Sequence, residues 1–186
     1  MRATSCIALQ LALAIGASVT SRAQIATSLP GINLAAAKGE SVTLGAPTPG
    51  QQSLALVDGM LNRYASPFSI TVSWDLKDSK TTVVKLVGYF ATPAQALANG
   101  TDFIAAARIE LTTDGGAHWM PVDDNAVNGV GSVGGSVVLY TSPVTDGKDA
   151  HDSHVVTFGI RINLLGAATT AAGTYSGTLN LMAISR

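Results

Sequence analysis

The chain has 186 residues, with 11 Lys+Arg against 12 Asp+Glu and a formal net charge of −1. Without a basic run, that balance argues against nucleic acid or an anionic membrane as a partner, since both recruit clustered Lys and Arg. The single cysteine, Cys6, lies near the N-terminus, so the rest of the chain has no disulfide, thiolate metal site or cysteine nucleophile.

The first element reads as a targeting segment. Arg2 supplies a short positive region, and residues 7–19 form an apolar stretch, interrupted by Gln10. Its length suits a signal peptide rather than a membrane span. Ser21-Arg22-Ala23 places small residues where a signal peptidase reads them, so cleavage is expected before Gln24. Cys6 has no apolar run before it and is not the lipid-bearing cysteine of a lipoprotein. The expected organisation is a signal peptide at 1–23, a flexible N-terminal segment at 24–39 and one β-sandwich domain at 40–186. Losing Arg2 and Arg22 takes the 11 basic residues to nine, for a net charge near −3. No later apolar run is long enough to span a bilayer, so export to the periplasm, the outer cell surface or the medium is expected.

Alternation dominates the rest of the chain. Weak strand candidates occur at 41–44 and 52–57, and the clean one is residues 68–76, with Phe68, Ile70, Val72, Trp74 and Leu76 on one face. Asp78-Ser79 turns the chain into a strand over 81–91 that reads as covered on both faces. Thr92 as N-cap, Pro93 at the first helical position and Asn99-Gly100 as the stop predict one or two turns of connecting helix. Strands are expected again at 103–112, 118–122, 136–141, 154–164 and 173–184. Eight to nine strands at this spacing predict an all-β fold, an antiparallel immunoglobulin-like β-sandwich with one short helix. No repeat of propeller or solenoid length is visible.

The most motif-like stretch is "TTDGGAHW", residues 112–119, which fits the Asp-box pattern found in sialidases and other β-propellers. Thr112, Asp114, Gly116 and Trp119 are its signature positions. Such a box builds a turn: Asp114 bonds the turn backbone, the glycines take positive φ, and Trp119 packs back over it. Glycosidase chemistry would further require paired carboxylates and, for an acidic sugar, an arginine cluster, and the sequence suggests neither. Gly129-Val-Gly131-Ser-Val-Gly134 matches a dinucleotide fingerprint in letters alone, for β-like residues come next where the fingerprint needs a helix. Asp149, His151, Asp152 and His154 group potential metal ligands in what reads as a solvated loop, leaving them weak candidates at most. No nucleophile has a base and orienting partner at convincing spacing, so neither catalysis nor a cofactor is expected.

The last strand, "AAGTYSGTLNLMAIS", resembles the C-terminal signature of exported bacterial β-sandwich proteins of the spore coat protein U and pilin-like group. Gly173, Tyr175, Gly177, Leu179 and Leu181 are the matching residues. The resemblance implies a secreted or surface protein with a structural or adhesive role, joined to copies of itself or to other surface proteins through sheet edges. The alternative is a small carbohydrate-binding module that meets glycans through Trp119 and Tyr140.

Overall fold

In the computed structural model, residues 7–17, 41–49, 54–76, 83–127, 129–144 and 151–185 are described. The expected cleavage site, the segment 24–39, the Asp78-Ser79 turn and Asp149 lie outside them. Twelve strands follow in chain order: β1 (Ile7–Ala17), β2 (Ser41–Leu44), β3 (Leu61–Arg63), β4 (Phe68–Asp75), β5 (Val83–Tyr89) and β6 (Leu97–Asn99); then β7 (Asp102–Ile104), β8 (Ile109–Thr112), β9 (Met120–Pro121), β10 (Ser136–Pro143), β11 (His151–Asn163) and β12 (Gly173–Ser185). All pairings are antiparallel. One sheet runs β10-β5-β12-β6-β7, with β1 also on β12; the other runs β2-β4-β11-β8-β9, with β3 also on β11.

The alternation read from the sequence is what packs these sheets together. Phe68, Ile70, Val72, Trp74 and Leu76 are all buried, as are Val156, Phe158, Ile160, Ile162 and Leu164 from β11 and the residue just beyond it. Phe68 and Phe158 stack at 5.7 Å, and Tyr64 meets Phe68 edge-on at 5.9 Å. The facing sheet contributes Val84, Leu86, Val137, Leu139, Leu179 and Leu181 to the same core. The fold is therefore an antiparallel β-sandwich, as the strand spacing predicts.

Three details depart from the sequence pattern. The expected helix is a single 3-10 turn, Pro93–Gln95, with no side-chain cap from Thr92, and Leu97–Asn99 beyond it is strand. Leu97 is wholly buried, and that burial outweighs a weak local helix signal. The strand expected at 103–112 is broken by a second 3-10 turn, Ala106–Arg108, with Ala106 wholly buried. Finally, β11 begins at His151, so the histidine-rich stretch is strand rather than loop.

The closing strand explains its own motif. Tyr175 is buried, and its hydroxyl donates to the Ala171 carbonyl 3.1 Å away, tying the strand to the chain that enters it. Gly177 lies against the turn before β6, where a Cβ would stand 1.9 Å from the Ala96 carbonyl oxygen, so only glycine fits. Asn180 pairs with Tyr89 of β5 and with Gln10 of β1, and Ser176 with Ala98 of β6 and Ala14 of β1. Thus β5 and β6 share one edge of β12, and β1 runs along the other.

Candidate functional site

The Asp-box forms the turn between β8 and β9. Gly115 and Gly116 hold φ of 76° and 102°, backbone that residues with a Cβ rarely adopt. Around them the side chains close a small network. The Thr112 hydroxyl donates to Asp114 Oδ1 at 2.7 Å and accepts from the Gly116 N–H at 3.0 Å. The His118 N–H donates to both Asp114 oxygens at 3.0 Å, and His118 Nδ1 lies 2.6 Å from Oδ2. These bonds, the His118 N–H first, then the Thr112 hydroxyl and the His118 ring, hold the Asp114 carboxyl well below the usual carboxylate range. A depressed carboxyl supports the turn above its unfolded value of about 3.9 and loses that support as pH falls through the folded value.

Trp119 completes the turn. Its Nε1 donates to the Gly116 carbonyl at 3.0 Å, and the half-buried indole lies over Gly159 of β11. A Cβ at Gly159 would meet the indole at 3.5 Å and the Thr112 methyl at 2.9 Å, so this glycine provides the flat seat. Two guanidinium groups lie over the ring, Arg161 at 4.4 Å and Arg63 at 5.5 Å from its centroid.

Those arginines are the part that sequence reading missed. Register places Arg63, Arg161 and Glu110 side by side across β3, β11 and β8. Arg161 Nε bonds Glu110 Oε2, and Asn163 Nδ2 donates to Oε1 at 2.8 Å, which satisfies the buried Glu110. Arg63 is exposed, and among the described residues no carboxylate pairs with it. The sequence suggested no arginine cluster; the structure brings two arginines to Trp119, of which Arg161 is paired with Glu110. The only sequence signal was parity: Arg161 falls on the outward positions of an alternating strand, while β3 is too short to show a pattern.

Next to the Trp119 turn, Arg63 borders a cleft of about 440 Å³ that is also lined by Tyr64, Pro67, Thr113, Thr157 and Gly159 among others; Arg161 and Glu110 are not part of its lining. Tyr64 is buried, its hydroxyl has no hydrogen-bond partner among the described residues, and burial pushes that hydroxyl's pKa far up, so it stays protonated.

The remaining candidates are dispersed. His151 Nδ1 lies 2.9 Å from Asp75 Oδ1, and Asp152 Oδ1 accepts the Ser153 N–H at 2.7 Å. His154 instead stacks on Tyr140 at 4.5 Å, with the rings nearly parallel. An odd interval along β11 sends His151 and His154 to opposite faces, and no group of three potential metal ligands gathers among the described residues. Tyr140 meets the inward-parity position His154, whereas Trp119 covers the outward-parity Gly159. The two aromatics therefore do not share a platform. In the glycine-rich loop, Ser136 Oγ accepts the Ser132 N–H and donates to the Ser132 carbonyl, both at 2.9 Å, and the loop leads into β10 rather than a helix. No family model, curated protein or solved structure matches this chain.

Proposed function

We propose that this is an exported, non-catalytic β-sandwich with a structural or adhesive role at the cell surface or in the periplasm, assembled pilin-fashion by adding a strand along β12. The observation that carries the reading is the pairing of β1 with β12, continuous from Ile7↔Ala183 to Ala17↔Gly173. Residues 7–17 are the apolar part of the segment read as a leader. Once 1–23 are removed, one edge of β12 keeps β5 and β6 while the other presents a long row of unpaired N–H and C=O groups. Such an edge is a template for a strand from another chain. Leu179, Leu181 and Ala183 of this strand are buried in the core, which makes the edge part of the sandwich rather than a loose ribbon.

The test is the chain beginning at Gln24, followed by sedimentation over a range of concentrations. It should form oligomers as concentration rises, and a peptide of residues 7–17 should return it to monomer by taking the β12 edge. A chain that stays monomeric throughout, with β12 amides exchanging equally with and without the peptide, would sink the reading.

A further inference from the structure

We propose that the cleft beside Trp119 binds a carboxylated saccharide, with Arg63 taking the carboxylate. The proposal does not rest on strand addition, because the cleft lies on the outward side of β3 and β11 and not at the β12 edge.

Charge is the first argument. Arg63 and Arg161 stand directly opposite each other on paired strands, an arrangement that repels unless it is neutralised. Glu110 neutralises Arg161 and has its second oxygen occupied by Asn163. One positive charge is left over at the mouth of the cleft. An anion bound there would relieve the repulsion as well as gain a charge-assisted contact.

Orientation is the second. Arg63 makes no hydrogen bond or ion pair among the described residues, yet its guanidinium is held over the indole. Trp119 is itself fixed by its bond to Gly116 and its seat on Gly159. A forked donor that is already positioned and unsatisfied loses little freedom on binding and matches the two oxygens of a carboxylate.

The third is the character of the walls. Thr113 and Thr157 put exposed threonines on the rim, while Tyr64 and Pro67 add ring surface. A pyranose has hydroxyls on its edge and C–H groups on its face, and the cleft volume suits a small ligand. An acidic peptide fits less well. At Arg161 the backbone of β11 is already paired on both sides, by Arg63 and by Glu110, so a peptide would find no free ladder to join there.

The test uses the whole chain, titrated at low salt with tetragalacturonate and with a hyaluronan tetrasaccharide, and followed by chemical shifts of the Trp119 and Arg63 side chains. At least one sugar should bind and move both signals, and methyl-esterifying its carboxylates should weaken binding by about tenfold or more. Arg63→Gln should weaken it to a similar degree with near-ultraviolet circular dichroism unchanged. Arg63→Lys should fall between, because the charge survives and the fork does not. The proposal is overturned if neither sugar binds, if Arg63→Gln binds like the parent, or if hexaglutamate competes as tightly as the sugars.

Discussion

Strands β11 and β12 have the same length, 13 residues, and each lies at the centre of its sheet. Their second edges differ. In the first half of β11, residues 151–158, one edge pairs with β4, and among the described residues no strand pairs with the other. That half opens with His151-Asp152-Ser153-His154, all exposed. Polar and titratable side chains on a free edge discourage another chain from joining it. Strand β12 instead puts Leu179, Leu181 and Ala183 into the core, all buried, and its second edge pairs with β1. Among the described residues that edge is filled by β1 and by no other strand, and the stretch it covers lacks the run of exposed titratable side chains that opens β11. Burial alone does not distinguish two central strands; what lies along their second edges does.

The comparison can be broken at three points. The largest effect is expected in β11, where Phe158→Ala removes a wholly buried ring stacked on Phe68. It should cost about 3–5 kcal/mol in urea unfolding, equally with and without residues 1–23. An unequal loss would mean that β11 also depends on the N-terminal segment. Next is Gly177→Ala, which forces a methyl against the Ala96 carbonyl and should cost about 1–3 kcal/mol by prising β6 from β12. Amide exchange should then speed at Leu97–Asn99 and leave β11 alone, and uniform speeding along both strands would erase the distinction. The smallest change is Tyr175→Phe. It deletes the bond to Ala171 and should cost about 0.5–1.5 kcal/mol in thermal or urea unfolding, a loss confined to how β12 is anchored.

Much of the sandwich was legible because its buried residues alternate. Residues 68–76 and 156–164 carry the period of a half-buried strand and burial follows it, whereas in 173–184 Tyr175, Leu179 and Leu181 are buried as read but Asn180 and Ile184 on the other face are buried too. The Asp-box turn was legible for a similar reason, since Thr112, Asp114 and the glycines act within a few residues of one another. What could not be read depends on partners distant in the chain. Strand β3 has three residues and no pattern of its own, so only its register on β11 reveals that Arg63 sits beside Arg161. Pro93–Gln95 looked helical because the punctuation was right, but burial of Leu97 and its pairing with Ile104 decided the outcome. The leader-like residues 7–17 gave a composition signal and no hint of pairing, because an apolar run does not name the strand it will lie beside.

The position of β11 and β12 in the chain carries a further consequence, one of timing. They come last in chain order among the described strands, yet each is the strand on which its sheet is built. While a ribosome is still short of residue 151, β4, β3 and β8 have no common partner to join, and β5 and β6 likewise lack theirs. Contacts between such distant segments are slow to form and come late. Joining of the strands within each sheet is therefore expected to wait for residues 151–185, because the local pairs β2–β4, β5–β10, β6–β7 and β8–β9 have no shared partner before then.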